Sequence, residues 1–193
     1  YGVLQAEIHF DERDLDFALK AEKVIKTDLI KAINYFQYVP RSIVHFNVDP
    51  YMRLTNGNAT VFPTDVINLY KFPPANNEHL IIMEDWLTNL IFHEYVHVTH
   101  LDQTRDFLDV GRNIFGSIAK FPVMVVPRWF TEGIAVWAES YLSGNGRLSN
   151  PLFRKDLLIL FLKADYCKTI DCLDEPGLYP HGSMSYWAGA HFM

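Results

Sequence analysis

Hydrophobic and polar positions divide the chain into a strand-containing first part and a helical second part. Residues 7–10 alternate as a short strand does, and residues 11–37 carry apolar side chains at helical spacing. Pro40 ends this long amphipathic helix, because proline cannot continue it. A run of β-branched and aromatic residues at 42–48 then predicts a second strand.

A turn signal separates these elements from the rest of the predicted sheet. The Asn-Gly-Asn sequence at 56–58 favours a turn, and residues 59–70 predict one or two further strands. Pro63 interrupts them, which an edge strand tolerates. From residue 84 onward the apolar spacing is helical, and the predicted helices cover 84–102, 107–120, 127–142, 151–164 and 181–193.

This order of elements indicates an α+β fold with a small mixed sheet over about residues 1–80 and a helical part over about 81–193. The length of 193 residues and the hydrophobic content of 49% fit a single domain. Helical spacing is still present at Met193, so we expect this domain to belong to a longer chain.

Charge and hydropathy exclude two kinds of partner. The net charge is −6 and no basic run of five residues occurs, which argues against nucleic-acid binding. The longest purely apolar run has six residues, at 157–162, whereas a membrane span needs about 20. We therefore expect no nucleic-acid partner and no transmembrane segment.

The two cysteines suggest a compartment. Cys167 and Cys172 lie five positions apart in a polar segment, which is close enough for a disulfide across a turn. A disulfide is typical of exported proteins, whereas two free thiols would suit a cytosolic loop. We expect the disulfide, and with it a periplasmic or extracellular location.

The strongest chemical signal is an HExxH motif in the predicted helix 84–102. His93 and His97 lie one helical turn apart on the same face, so both imidazoles can bind one metal ion. Glu94 points into the same cleft, where its carboxylate can accept a proton from a metal-bound water. His100 is about 10 Å from His93 along the helix, so these two cannot share the ion. The alternative to a metal site is a pair of structural histidines on a buried helix.

A third ligand is expected from the predicted helix 127–142. Glu132 has apolar neighbours in the sequence, and a buried carboxylate needs a counter-charge such as a divalent metal. Gly133 would let this helix approach the HExxH helix closely. Glu139 lies seven residues further along the same face. It is a candidate acceptor for a ligand histidine, a surface charge or the ligand itself.

The chain resembles the gluzincin metallopeptidases, specifically the bacterial peptidase MA-like domains. The resemblance rests on the HExxH motif at 93–97 and on the Pro-x-Trp-x-x-Glu-Gly-x-Ala sequence at 127–135. Weaker similarity at 40–44, 57–62 and 179–182 extends it along nearly the whole chain. The resemblance implies a thermolysin-like catalytic domain, although the spacer between the two main motifs is longer than in the thermolysin-like branch.

The resemblance also implies the ligand set and the catalytic residues. It favours Glu132 over Glu139 as the third Zn²⁺ ligand beside the two motif histidines. Its Tyr-x-x-Gly element assigns Tyr179 as the hydrogen-bond donor to the oxyanion of the tetrahedral intermediate. His181 and Tyr186 are competing candidates for that donor.

The segment 57–62 corresponds to the edge strand that pairs with an extended substrate in this family. It lacks the acidic residue with which the related aminopeptidases hold a free amine, so an endopeptidase is favoured. We thus expect a zinc-dependent peptidase that acts on peptides or proteins. The alternative is an inactive, zinc-retaining binding or scaffolding module, since family members are often joined to a C-terminal β-propeller. The retained Glu94 favours the enzyme, because a structural zinc site has no use for a base.

Overall fold

The computed structural model describes residues 2–52, 56–72, 85–104, 106–120, 125–151, 153, 155 and 181–193. Within these residues the strands are β1 (Ala6–His9), β2 (Val44–Asp49), β3 (Gly57–Thr60) and β4 (Val66–Tyr70). The α-helices are α1 (Leu15–Thr27), α2 (Leu29–Phe36), α3 (Trp86–Asp102), α4 (Phe107–Phe115), α5 (Arg128–Ser143) and α6 (His181–Phe192). Short 3₁₀ turns occupy Glu12–Asp14, Gly116–Lys120 and Arg147–Ser149.

The strands form a mixed sheet in the order β1-β2-β4-β3. β1, β2 and β4 run parallel, and β3 pairs antiparallel with β4 at one edge. Buried and half-buried residues alternate along β2, so one face of the sheet packs into the core and the other faces outward. The interrupted strand prediction for 59–70 corresponds to β3 and β4 as two separate strands.

The helix α3 is buried along most of its length and carries the HExxH motif. Asp85 caps its first turn by accepting a hydrogen bond from the backbone N–H of Thr88 at 3.1 Å. Leu90 and Ile91 belong to the core beneath the sheet, while Val96 packs with residues of α5. The motif is therefore held between the sheet and α5, where packing fixes its side chains.

The predicted helix 11–37 is divided in the structure. α1 ends at Thr27 and α2 begins at Leu29, with Asp28 between them. Thr27 Oγ1 donates to the backbone carbonyl of Lys23, and Asp28 accepts a hydrogen bond from Lys31. The short polar side chains of Thr and Asp form hydrogen bonds with nearby groups and weaken the regular helix, which explains the division between α1 and α2.

The predicted helix 107–120 is α4 followed by a 3₁₀ turn that buries Lys120. Lys120 Nζ lies 2.7 Å from Asp65 Oδ1 and 2.5 Å from Asp102 Oδ1. Arg112 of α4 also contacts Asp102 Oδ1, at 2.6 Å. Because Asp102 is the last residue of α3, this buried cluster attaches α4 and the turn to the end of the motif helix.

The helices α5 and α6 pack at very short range. A Cβ at Gly133 would collide with the backbone of Gly189, so both positions require glycine. The prediction that Gly133 permits a close approach to the HExxH helix was wrong, because Gly133 faces α6 instead. Sequence neighbours alone do not reveal which of two partner helices a small residue faces.

Some predictions fall on residues beyond those described. Cys167, Cys172 and residues 156–164 of the predicted helix 151–164 lie outside the described residues. The disulfide and the periplasmic or extracellular location therefore stay predictions. None of the helices in the described part of the chain combines the length and the apolar character that a bilayer span requires.

Candidate metal centre

Two imidazoles and one carboxylate converge between α3 and α5. His93 Nε2 lies 3.2 Å from His97 Nε2, and Glu132 Oε2 lies 3.3 Å from each of these nitrogens. The two histidines are neighbours because four residues make about one helical turn. Glu132 joins them because α5 packs along α3. The structure thus brings the three predicted ligands together, and we call them the cleft triad.

The cleft triad fits a zinc ion. A tetrahedral Zn²⁺ with ligand bonds of about 2.0–2.1 Å separates its ligand atoms by about 3.3–3.4 Å. The observed separations of 3.2 and 3.3 Å match that spacing closely. Two histidines and one glutamate are also the donor set of several zinc hydrolases, in which the fourth position stays open. Residues His93, His97 and Glu132 would therefore hold the ion without rearrangement.

A buried carboxylate orients His93 from the side opposite the cleft. Glu139 Oε2 lies 3.0 Å from His93 Nδ1, and the Glu139 side chain is fully buried. Its other oxygen accepts a hydrogen bond from the backbone N–H of Arg147 at 3.2 Å. In the neutral imidazole, the bond to Glu139 places the ring proton on Nδ1 and leaves Nε2 free to bind a metal. Of the three roles considered for Glu139, the structure supports that of acceptor for a ligand histidine.

The electrostatic environment of the cleft triad favours positive charge. Burial and the nearby Arg147 act to lower the pKa of His93, but hydrogen bonds with Glu132 and Glu139 outweigh them and raise it to about 9. Burial acts to raise the pKa of Glu132, but its hydrogen bonds with His93 and His97 hold that pKa below the ordinary value. A divalent cation at this point would be stabilised by the same two carboxylates.

Glu94 and the strand β3 also line the cleft, which has a volume of about 280 Å³. Burial raises the pKa of Glu94 above its ordinary value, which suits a group that accepts and later releases a proton. A Cβ at Gly57 would lie 3.1 Å from Glu94 Cγ and 2.8 Å from the carbonyl oxygen of Asn68. Glycine at this position therefore allows β3 to pass directly over the Glu94 side chain.

Tyr186 of α6 also lines the cleft. Its ring stacks on His93 at a centroid separation of 6.0 Å and an interplanar angle of 25°. Arg128 and Arg147 hold this ring, with guanidinium carbons 5.6 and 5.3 Å from its centroid. Burial and the charge of Glu132 raise the pKa of the phenol, so it stays protonated and able to donate a hydrogen bond.

The other sequence candidates have different outcomes. Tyr179 lies outside the described residues, as does the side chain of His181. His100 does not belong to the cleft triad, as expected, and its ring lies 5.4 Å from that of Phe130. Tyr186, which was one of three candidate oxyanion donors, is the one whose side chain the structure describes at the cleft.

The two arginines around Tyr186 were not predicted from the sequence. The sequence does contain a signal for Arg128, because it precedes Glu132 by four residues on the same helix. In the structure, Arg128 Nε lies 3.4 Å from Glu132 Oε1. Arg147 lies in the turn after α5 and reaches Glu139 Oε1 at 3.3 Å. No helical spacing relates that turn to Glu139, so only the folded chain shows the contact.

Comparisons of the chain with protein-family models, with curated proteins and with solved structures found no match. The gluzincin resemblance therefore rests on the motifs alone, and the function is inferred from the geometry of the cleft.

Proposed function

We propose that this chain is a zinc-dependent peptidase of the gluzincin type. The observation that carries the proposal is the cleft triad, whose ligand atoms are spaced for one tetrahedral ion in a cleft that also contains Glu94. When bound, zinc would act as a Lewis acid that activates water and polarises the carbonyl of the substrate.

Glu94 is the proposed proton carrier. As a carboxylate it accepts a proton from the attacking water, and as a carboxylic acid it returns that proton to the amine of the departing peptide. The raised pKa of Glu94 favours the first step, since a strongly acidic group would hold the proton too weakly. A structural metal site would gain nothing from a general base such as Glu94.

The edge strand β3 is the proposed binding element for the substrate backbone. Its residues line the cleft, and β4 pairs with only one of its edges. The backbone N–H and C=O groups on the other edge suit pairing with an extended peptide. β3 has the sequence Gly-Asn-Ala-Thr and carries no acidic side chain to bind a free amino terminus. We therefore propose cleavage within a chain, as an endopeptidase does.

Tyr186 is the proposed donor to the oxyanion of the tetrahedral intermediate. It is supported by the position of its ring beside His93 and by a phenol that stays protonated. The two arginines around the ring restrict its motion, so the hydroxyl is positioned before the substrate arrives. Arg128 also contacts the second oxygen of Glu132, which orients that ligand.

The test of this function is cleavage of an unstructured protein such as casein by the zinc-loaded chain. Glu94→Gln keeps the shape of the side chain but removes the base, so cleavage should fall by about 10²- to 10⁴-fold. The zinc content, measured by elemental analysis, should stay unchanged. Glu22→Gln is the matched control, because Glu22 is exposed on α1 and contacts Lys26 only on the surface.

Two outcomes would contradict the proposal. An inert wild-type chain that holds zinc would favour the zinc-retaining binding or scaffolding module. Full activity in Glu94→Gln would exclude the proton-carrier role. Tyr186→Phe separates the donor from the base, because it should lower kcat by about 10²-fold and leave the zinc content unchanged.

A further inference from the structure

A second group of side chains that carry potential metal-ligand atoms lies on the outward face of the sheet. Glu7 and His9 are two residues apart on β1, so they share one face of the sheet. His45 on the neighbouring strand β2 is the register partner of Glu7 and lies on that same face. We call these three residues the outer triad; none of them lines the cleft.

The ligand atoms of the outer triad are already spaced for a single ion. His9 Nε2 lies 3.1 Å from His45 Nδ1, and Glu7 Oε2 lies 3.4 Å from His45 Nδ1 and 3.6 Å from His9 Nε2. These separations bracket the value of about 3.3–3.4 Å expected for a tetrahedral zinc ion. The donor set of two imidazoles and one carboxylate is the same as in the cleft triad.

We propose that Glu7, His9 and His45 bind one divalent transition-metal ion such as Zn²⁺. Imidazole nitrogens select such ions over Mg²⁺ and Ca²⁺, which prefer oxygen ligands. The side chains of Glu7 and His9 are about half exposed and that of His45 is 30% exposed, so solvent reaches all three. The ion therefore enters without opening the fold, and water completes its coordination.

The bound ion would join the strand β1 to the strand β2. β1 lies at the opposite end of the sheet from β3, and in the described sheet it pairs with β2 alone. An ion held by side chains of both strands adds a link that the unfolded chain lacks. Its binding should therefore raise the stability of the fold in proportion to ln(1 + [Zn²⁺]/Kd).

The first test counts zinc ions per chain by equilibrium dialysis and elemental analysis, with Zn²⁺ alone as the probe. We expect two ions for the wild-type chain, one for His45→Ala and one for Glu132→Ala. The combined variant should bind none. His191→Ala is the control, because His191 is an exposed histidine of α6 outside both triads, and it should retain two ions.

The second test isolates the outer triad in the Glu132→Ala background. Addition of Zn²⁺ should raise the Tm of that variant, and His9→Ala or His45→Ala should abolish the rise. Glu7→Gln keeps the size of the side chain but removes its charge, so zinc affinity should fall at least about 10-fold. The circular dichroism of each variant before zinc addition shows whether the fold is retained.

The proposal is overturned if His45→Ala binds as many ions as the wild-type chain. It is equally overturned if the zinc-dependent rise in Tm survives His9→Ala, since the contact of the two rings would then be an ordinary hydrogen bond. These outcomes do not affect the proposed peptidase. If the wild-type chain binds one ion and only Glu132→Ala loses it, the cleft triad is still a metal site and the outer triad is not.

Discussion

The cleft triad and the outer triad use the same donor types at nearly the same separations, but they differ in what surrounds them. The cleft triad lies between two packed helices, and its His93 is bonded to the buried carboxylate of Glu139. The outer triad lies on an open sheet face, where Glu7 is the carboxylate paired with both histidines. At both places the distances between the ligand atoms are what support the proposal of a metal ion.

The comparison shows why only the cleft triad suggests a reaction. Beside it are a buried carboxylate at Glu94, a phenol at Tyr186 and the edge of β3 that is unpaired in the described sheet. These groups are held in position before a substrate arrives, which catalysis requires and metal binding alone does not. None of the residues of the outer triad lines this cleft, so we assign the outer triad a binding role only.

The largest expected effect comes from removal of the carboxylate ligand in each triad. Glu132→Ala should abolish casein cleavage and weaken zinc binding in the cleft by more than about 100-fold. Loss of a residue that only orients a ligand already lowers metal affinity about 10- to 100-fold, and loss of a ligand should lower it further. Glu7→Ala should weaken only the outer ion. Isothermal titration with Zn²⁺ resolves the two binding steps, and loss of the same step in both variants would contradict the separation of the sites.

The second prediction tests how strongly the cleft triad depends on helix packing. Gly133→Ala adds a methyl group against the backbone of α6 and should lower the free energy of unfolding by about 3 kcal/mol. Zinc affinity in the cleft should fall with it, because Gly133 adjoins Glu132. Gly111→Ala is the matched control, since its Cβ would make only an ordinary contact of 3.7 Å with Ala119. Denaturant unfolding of both variants measures the difference.

The third prediction concerns the pH dependence of chelator-treated protein. The pKa of His93 is raised from 6.5 to about 9 in the fold, so its protonation stabilises the metal-free protein fully below pH 6.5. That contribution, about 3 kcal/mol, should be lost as the pH rises through about 9. Denaturant unfolding between pH 6 and about 9.5 measures it, and His93→Gln should flatten the slope.

The zinc-loaded protein should lack this pH dependence over the same range, because the rise in zinc affinity offsets the fall in stability of the metal-free fold. Binding of zinc requires a neutral His93, so zinc affinity in the cleft should rise with pH. Measurement in the His9→Ala, His45→Ala background removes the contribution of the outer triad. A loaded protein whose stability falls with pH as steeply as that of the chelated protein would contradict the role of His93 as a ligand.

The smallest of these effects is expected from Glu139→Gln. The amide keeps the size of the side chain but weakens the bond that orients His93, so zinc affinity in the cleft should fall about 10- to 100-fold. The outer ion should be unaffected. If competition with a zinc-binding dye shows no change in the cleft, the orienting role of Glu139 is wrong.

The elements near the site were predictable to different degrees. The helix that carries the HExxH motif was predicted over 84–102 and observed as α3 (Trp86–Asp102), because helical spacing and the cap at Asp85 are local features. The division between α1 and α2 was missed, since side-chain bonds of Thr27 and Asp28 compete with an apolar pattern that continues through them. The buried cluster around Lys120 was missed as well, because each of its partners comes from a different part of the chain.

Local spacing was sufficient for some parts of the two triads. Positions i and i+4 of a helix share a face, so the pairing of His93 with His97 follows from the motif alone. Positions i and i+2 of a strand share a face in the same way, as Glu7 and His9 do.

Contacts between distant segments depended on the tertiary structure. The pairing of β1 with β2 brings His45 beside Glu7, and the packing of α5 on α3 and of α6 on α5 brings Glu132 and Tyr186 to His93. The physical reason is that local periodicity specifies which face of an element is buried. The register and packing that decide which faces meet depend on side-chain shape summed over the whole core.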